Sequence, residues 1–272
     1  MRLSDYEKRA LREVEAWQRG SGNPIHQALN WAMMPFDWVV DNFAPPELID
    51  QLGDAVSDAL GTLKDASKWT FDEDSVLAKA ADYDLEVTSI EDLRDAPLEK
   101  LDELALSYTS QNAIMAAVEG GGMGLGGVVL IAADIPLLFT INFRLIQQIG
   151  ASYGFSLADP SYRSLLLAIY NVAASGSKEV KAGAMREVSV AAASFAHDQE
   201  YRGRRSPDTL RAQNRHVPRE IAKNLIGRKM GQVIPIAGAA VGAGVNYWFT
   251  TQSAEAARML FRAIYVERKE RV

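Results

Sequence analysis

Few residues in this chain have the type and spacing for covalent chemistry, and each is weighed first against its surroundings. Gly150-Ala151-Ser152-Tyr153-Gly154 matches the G-x-S-x-G turn of serine hydrolases, where a strand feeding a tight turn lifts the Ser hydroxyl above a sheet. Residues 144–149 ahead of it read as the end of a helix, so Gly150 or Gly154 fits a helix terminus better. The bases open to Ser152 would be His26, His197 and His216, and none stands at H-x-x-x-H or H-E-x-x-H spacing, so no metal is expected. Gly122-x-Gly124-x-x-Gly127 matches the dinucleotide fingerprint, which needs a preceding strand and an acid about 20 residues on. Here a helical stretch leads in, and the distal positions are Asn142 and Arg144, so no cofactor is expected. With no Cys among 272 residues, thiolate nucleophiles, iron–sulfur clusters and disulfide frameworks are excluded.

Asp134 is the acid that most needs an explanation, because it interrupts an otherwise uncharged run from Gly120 to Phe143. Asp134-Ile135-Pro136 reads first as an N-cap and first-turn proline restarting a helix after the glycines. A buried pair with a distant Arg and a functional carboxylate are the other two readings.

The elements that must position these residues are helices. Ser4-x-x-Glu7 is a capping box ahead of Leu11, Val14 and Trp17, and Gly20 follows. Prolines at 24, 97, 160 and 218 sit where helices start, and Asp72 and Ser89 are further candidate caps. Leu98, Leu101, Leu104, Tyr108 and Met115 recur at helical spacing, as do Val180, Ala184, Val188, Ala191 and Phe195. No segment reads as a strand. The expected fold is all-α: one domain over residues 1–272, of roughly ten helices, with a polar loop near 199–217.

Two runs stand apart, residues 120–143 and 230–254, each rich in Gly and nearly or wholly without charge. Both approach the length of a bilayer span, but their glycines, Asn142, Asn246, Gln232, Gln252 and Asp134 dilute the apolar content. Gly120/Gly124, Gly122/Gly126 and Gly238/Gly242 are four apart, a spacing that lets two helix backbones approach closely. The expectation is two Gly-rich apolar helices packed at the centre, with a lipid-facing role as the competing reading.

Charge is split along the chain. Residues 1–119 hold 10 Lys/Arg against 24 Asp/Glu, and residues 120–272 hold 19 against 11. The basic excess is densest in 202–229, which includes Arg215, Arg219, Lys223, Arg228 and Lys229. No nucleic-acid fold signature accompanies it, and beside an apolar run it suits an anionic membrane surface better than a duplex. Pairing with the acidic half is the competing account. Acids at the start, where a secretory signal would have an apolar run, lead to the expectation of a cytoplasmic protein, peripheral to the membrane at most.

Three blocks carry a family resemblance. They are Leu3-Ser4-Asp5-Tyr6-Glu7 with Glu13-Val14 and Trp17-Gln18; Glu119-Gly120 through Ala133-Asp134-Ile135-Pro136-Leu137-Leu138 to Ile149-Gly150 and Ser152-Tyr153-Gly154; and Ile234-Pro235-Ile236-Ala237-Gly238-x-x-Val241-Gly242-Ala243-Gly244-x-Asn246-Tyr247. In this order they resemble the EcsC family of bacterial proteins, while residues 40–95 carry none of its motifs. The family is named for a gene beside an ABC exporter, and the resemblance implies cytoplasmic or membrane-associated proteins with no catalytic residues to carry over. It also places any site where the Gly-rich runs and Asp134-x-Pro136 meet. The expected function is non-enzymatic binding of a membrane surface, lipid or other apolar ligand, accessory to a membrane transporter. Gly122, Gly126, Asp134, Pro136, Gly238, Gly242 and Asn246 are the candidate ligand contacts, and the basic residues just named are the candidate membrane contacts. Docking of a protein partner through the acidic half is the second function, and a hydrolase using Ser152 or Asp134 the third.

Overall fold

A computed structural model gives the structure of the protein, and the residues it describes are 3–19, 54, 72–123, 128–156, 163–174 and 238–271. Among them are six α-helices, one 3-10 helix and no strand. The helices are α1 (Asp5–Gln18), α2 (Glu73–Ala81), α3 (Leu98–Met123), α4 (Val128–Ser152), α5 (Arg163–Ala174) and α6 (Gly238–Arg271). The all-α expectation holds. The expected helices at Pro24, Val180–Phe195 and Pro218, the loop at 199–217 and the basic stretch lie outside the described residues.

Local signals set several helix ends. Ser4 Oγ accepts from the Glu7 N–H at 3.2 Å, and Glu7 Oε2 accepts from the Ser4 N–H at 2.7 Å, which completes the capping box. Asp72 caps α2 through the Asp74 N–H. Ser89 receives the Asp92 N–H, but the element that follows is a five-residue 3-10 helix, Glu91–Asp95, whose N-cap position is Ile90. At the end of α4, the Phe155 N–H reaches the Gly150 carbonyl and the Gly154 N–H the Ala151 carbonyl, both at 2.9 Å. That is a Schellman termination, and Gly154 supplies the positive φ of 85° it needs.

The 34-residue α6, about 51 Å long, packs against α1, α3, α4 and α5. Its Phe249, Phe261 and Ile264 meet a core built from Leu101 and Leu104 of α3, Leu145 and Ile149 of α4 and Leu165 and Ile169 of α5. Each such side chain contributes about 1.5–3 kcal/mol on burial. Phe139, Phe143, Tyr170 and Phe249 form an aromatic cluster that ties α4, α5 and α6, with ring centroids 4.3–5.5 Å apart.

Polar contacts fix helix direction. Asp102 of α3 pairs with Arg262 of α6, whereas Gly120 of α3 meets Gly242 of α6, so these two helices are antiparallel. Asn246 bonds Asp134, Asn142 bonds Thr250, and Tyr153 stacks on Phe261, so α4 runs parallel to α6. Asn112 donates to Gln148 Oε1 across α3 and α4 at 2.9 Å.

Asp102 is 1% exposed and accepts hydrogen bonds from four donor atoms. Arg262 Nε and Nη2 reach it at 2.7–3.0 Å, Tyr6 OH at 2.7 Å, and Tyr153 OH completes the set. Arg262 also donates to Glu13, and Glu7 receives Lys269 and Tyr265, so α1 is bound along the C-terminal half of α6. Burial opposes the Arg262 cation, yet the bonds and charge of Asp102 outweigh it and hold its pKa above the ordinary value. Burial first, then the Asp102 bond and charge, push Tyr6 up to about 12.

Arg262→Met strands the Asp102 charge in the core and is expected to cost about 3–5 kcal/mol in urea unfolding. Adding Asp102→Asn to that variant should recover part of the loss. A single-variant cost under about 1 kcal/mol would mean that the pair organises nothing.

Candidate functional site

The junction of α3, α4 and α6 brings together three of the candidate contacts, Asp134, Gly242 and Asn246, with Gly120. An ideal Cβ built at Gly120 would overlap the Gly242 carbonyl oxygen and lie 2.5 Å from Asn246 Nδ2. No side chain fits there, so the two backbones touch as the glycine spacing predicts. The contact joins the C-terminal end of α3 to the start of α6, and the run 120–143 does not form one helix of its own as expected: Gly120 to Gly122 lie in the last turn of α3, and α4 begins at Val128.

Asn246 links the glycine contact to an acid. Its Nδ2 donates to Asp134 Oδ1 at 3.0 Å, and both residues are buried. Asp134 is no N-cap, which corrects the first reading of Asp134-Ile135-Pro136. The helix α4 begins at Val128, so the triplet lies inside it, with Pro136 at an interior position that lacks the N–H for the carbonyl four residues back. The carboxylate meets a side-chain amide across the α4–α6 interface, a partner that local sequence does not announce.

Glu119 completes the junction. Its Oε2 is buried without a hydrogen-bond partner among the described residues. Burial, and then repulsion from Asp134, raise its pKa above the ordinary carboxylate value. Sequence reasoning treated Glu119 as the border of an uncharged run. Neighbouring helix positions point in different directions, so Gly120 beside it gave no sign of the partly buried side chain.

The remaining candidates separate. Gly122 is exposed, with nothing within 4 Å of an added Cβ, so it takes no part in the close contact. Gly238 is the first residue of α6. Gly126 and the basic residues Arg215, Arg219, Lys223, Arg228 and Lys229 lie outside the described residues, as do all three histidines. Ser152 is fully buried at the end of α4 and donates its hydroxyl to the Gln148 carbonyl at 2.8 Å. A helix, and no strand, leads into it, so the elbow geometry that would expose a nucleophile is lacking. Among the described residues no group of three His, Asp or Glu side chains is placed to hold a metal ion. No described helix is long and apolar enough to cross a membrane.

The residues meeting here come from the second and third of the resembling blocks. The chain matches the EcsC protein family over residues 8–264. It belongs to the EcsC family. It is 24% identical to the uncharacterized protein YdbA of Bacillus subtilis (strain 168) over 261 residues, 93% of this chain and 90% of that one. It is 28% identical to Protein EcsC of the same organism over 172 residues, 60% of this chain and 66% of that one. No solved structure matches it. In this EcsC-family chain the first block forms α1 with its capping box, the second runs from the end of α3 through α4, and the third leads into α6.

Two glycines two residues apart should respond with opposite signs. Gly120→Ala drives a methyl group into the Gly242 backbone and is expected to lose about 1–3 kcal/mol. Gly122→Ala meets open space within a helix and should gain about 0.5–1 kcal/mol. Chemical denaturation of both variants measures the contrast, and equal effects would show that α3 and α6 do not touch at Gly120. Ser152→Ala should shift stability by less than about 1 kcal/mol. A fluorophosphonate probe should leave Ser152 unlabelled.

Proposed function

We propose that the protein is a non-enzymatic binder of an anionic membrane surface, acting as an accessory to a membrane transport system. The observation that carries the reading is the face of α3 between Glu103 and Glu119. No charged residue occurs in the 15 positions from Leu104 to Val118. Ile114 and Val118, four apart and therefore neighbours on the helix surface, are 61% and 71% exposed. Leu106 on the same helix and Tyr247 on α6, next to Asn246, are also exposed. Large apolar side chains standing in water beside one another favour an apolar phase or partner. The basic stretch 202–229 supplies, in sequence, charge of the sign that anionic headgroups attract. The transport role rests on the family's name alone.

Vesicle co-sedimentation of the full chain tests the reading. Binding to phosphatidylglycerol-containing vesicles at low salt is expected, with little binding to phosphatidylcholine vesicles. Reversing Arg215, Arg219 and Lys223 to Glu should weaken it more than tenfold, at about 1 kcal/mol per basic residue near the surface. Ile114→Ser with Val118→Ser should weaken it about tenfold or more, because each apolar side chain contributes about 1.5–3 kcal/mol when buried. Wild-type protein that ignores anionic vesicles at low salt overturns the reading.

A further inference from the structure

The acid at the end of α3 is held where a carboxylate is poorly supported. Glu119 precedes Gly120, whose backbone is pinned against Gly242 and Asn246, and its side chain is partly buried there with Oε2 sealed from solvent. Its Oε2 is buried with no donor among the described residues, while the Asn246 amide at the same junction is given to Asp134. Among the described residues the charged groups around it are few. From α4 it faces Asp134, a like charge, and Arg144 stands about 15 Å further along that helix. From α6 it faces no charge at all, since residues 238–254 carry none. The contacts of α1 with α3 include Tyr6–Asp102, about 25 Å back along α3. We propose that Glu119 makes the α3–α4–α6 junction a proton-stabilised clasp, closed by uptake of one proton from solvent and loosened when that proton is lost.

The physical basis is desolvation and repulsion acting together. Burial disfavours the Glu119 anion, Asp134 disfavours it further, and a neutral carboxyl removes both penalties. The sign follows from linkage. The folded-state pKa lies above the 4.5 of a free Glu, so the docked junction binds the proton more tightly than the unfolded chain does. The stabilisation is therefore full below 4.5 and is lost as the pH rises through the raised folded value. Opening of this junction with rising pH is a property of the fold and stands whether or not the protein binds membranes.

Thermal unfolding of the full chain between pH 4 and 8.5 tests it, with wild type compared to Glu119→Gln. The variant keeps the shape and a neutral side chain, so it should melt above wild type at pH 8, with the gap closing towards pH 4. Asp134→Asn in the wild-type background should narrow the gap by removing the repulsion. A Glu119→Gln protein that melts below wild type at pH 8, or a gap that does not change with pH, overturns the proposal. Carboxyl-carbon NMR of the wild type gives a readout that needs no Glu119 variant to fold. One Glu carboxyl should titrate above the ordinary range and move down in Asp134→Asn. Glu carboxyls that all titrate in the ordinary range overturn it equally.

Discussion

A carboxylate and a guanidinium buried together must meet with good geometry or leave an uncompensated charge in the core, and Asp102 with Arg262 is that constraint here. The two residues are 160 positions apart, and their bidentate contact sets the register of α3 against α6. Tyr153 brings the end of α4 to the same point, and Tyr6 with Glu13 brings α1. Four helices thus share one polar centre, and a slip of one turn in any of them would leave a buried charge short of donors.

The second anchor lies at the other end of the same helix pair. From Asp102 to Gly120 is 18 residues of α3, and from Arg262 back to Gly242 is 20 of α6, about 27–30 Å of helix in each. With the register fixed at the ion pair, the glycine contact has no freedom in position. Alongside this pair, α4 is tied to α3 by Asn112–Gln148 and to α6 by Asn142–Thr250. Such contacts give an interface of interchangeable apolar side chains a defined alignment.

This architecture bears on function in a particular way. The hydroxyl in the hydrolase-like pattern is spent on its own helix, and Asp134 is spent on Asn246. Uncommitted groups sit elsewhere: the exposed apolar residues of α3 and the ill-supported carboxyl of Glu119 at its end. Under the function and the proton clasp we propose, these are the groups that carry surface affinity and proton sensitivity.

What the sequence determined by itself was whatever depends on neighbours within one helical turn. The capping box at Ser4 and Glu7, the Asp72 cap, the apolar stripe from Leu98 to Tyr108 and the stop at Gly154 were legible because donor, acceptor or packing face lies within five residues. Glycine spacing announced a close helix contact, but Gly120 and Gly122 carry the same local signal, and only the tertiary structure decided which one faces α6. Asp134 shows the same division. Next to a proline it reads as a cap, yet it lies inside α4, where Asn246, 112 residues away, donates to it across the interface. Asp102 and Arg262 gave a fainter sign, since an acid four residues after Leu98 and a cation beside Phe261 fall on apolar faces. Periodicity can mark such residues as out of place but cannot name their partner, because the energy that makes a buried charge tolerable comes from groups that only the folded chain brings near.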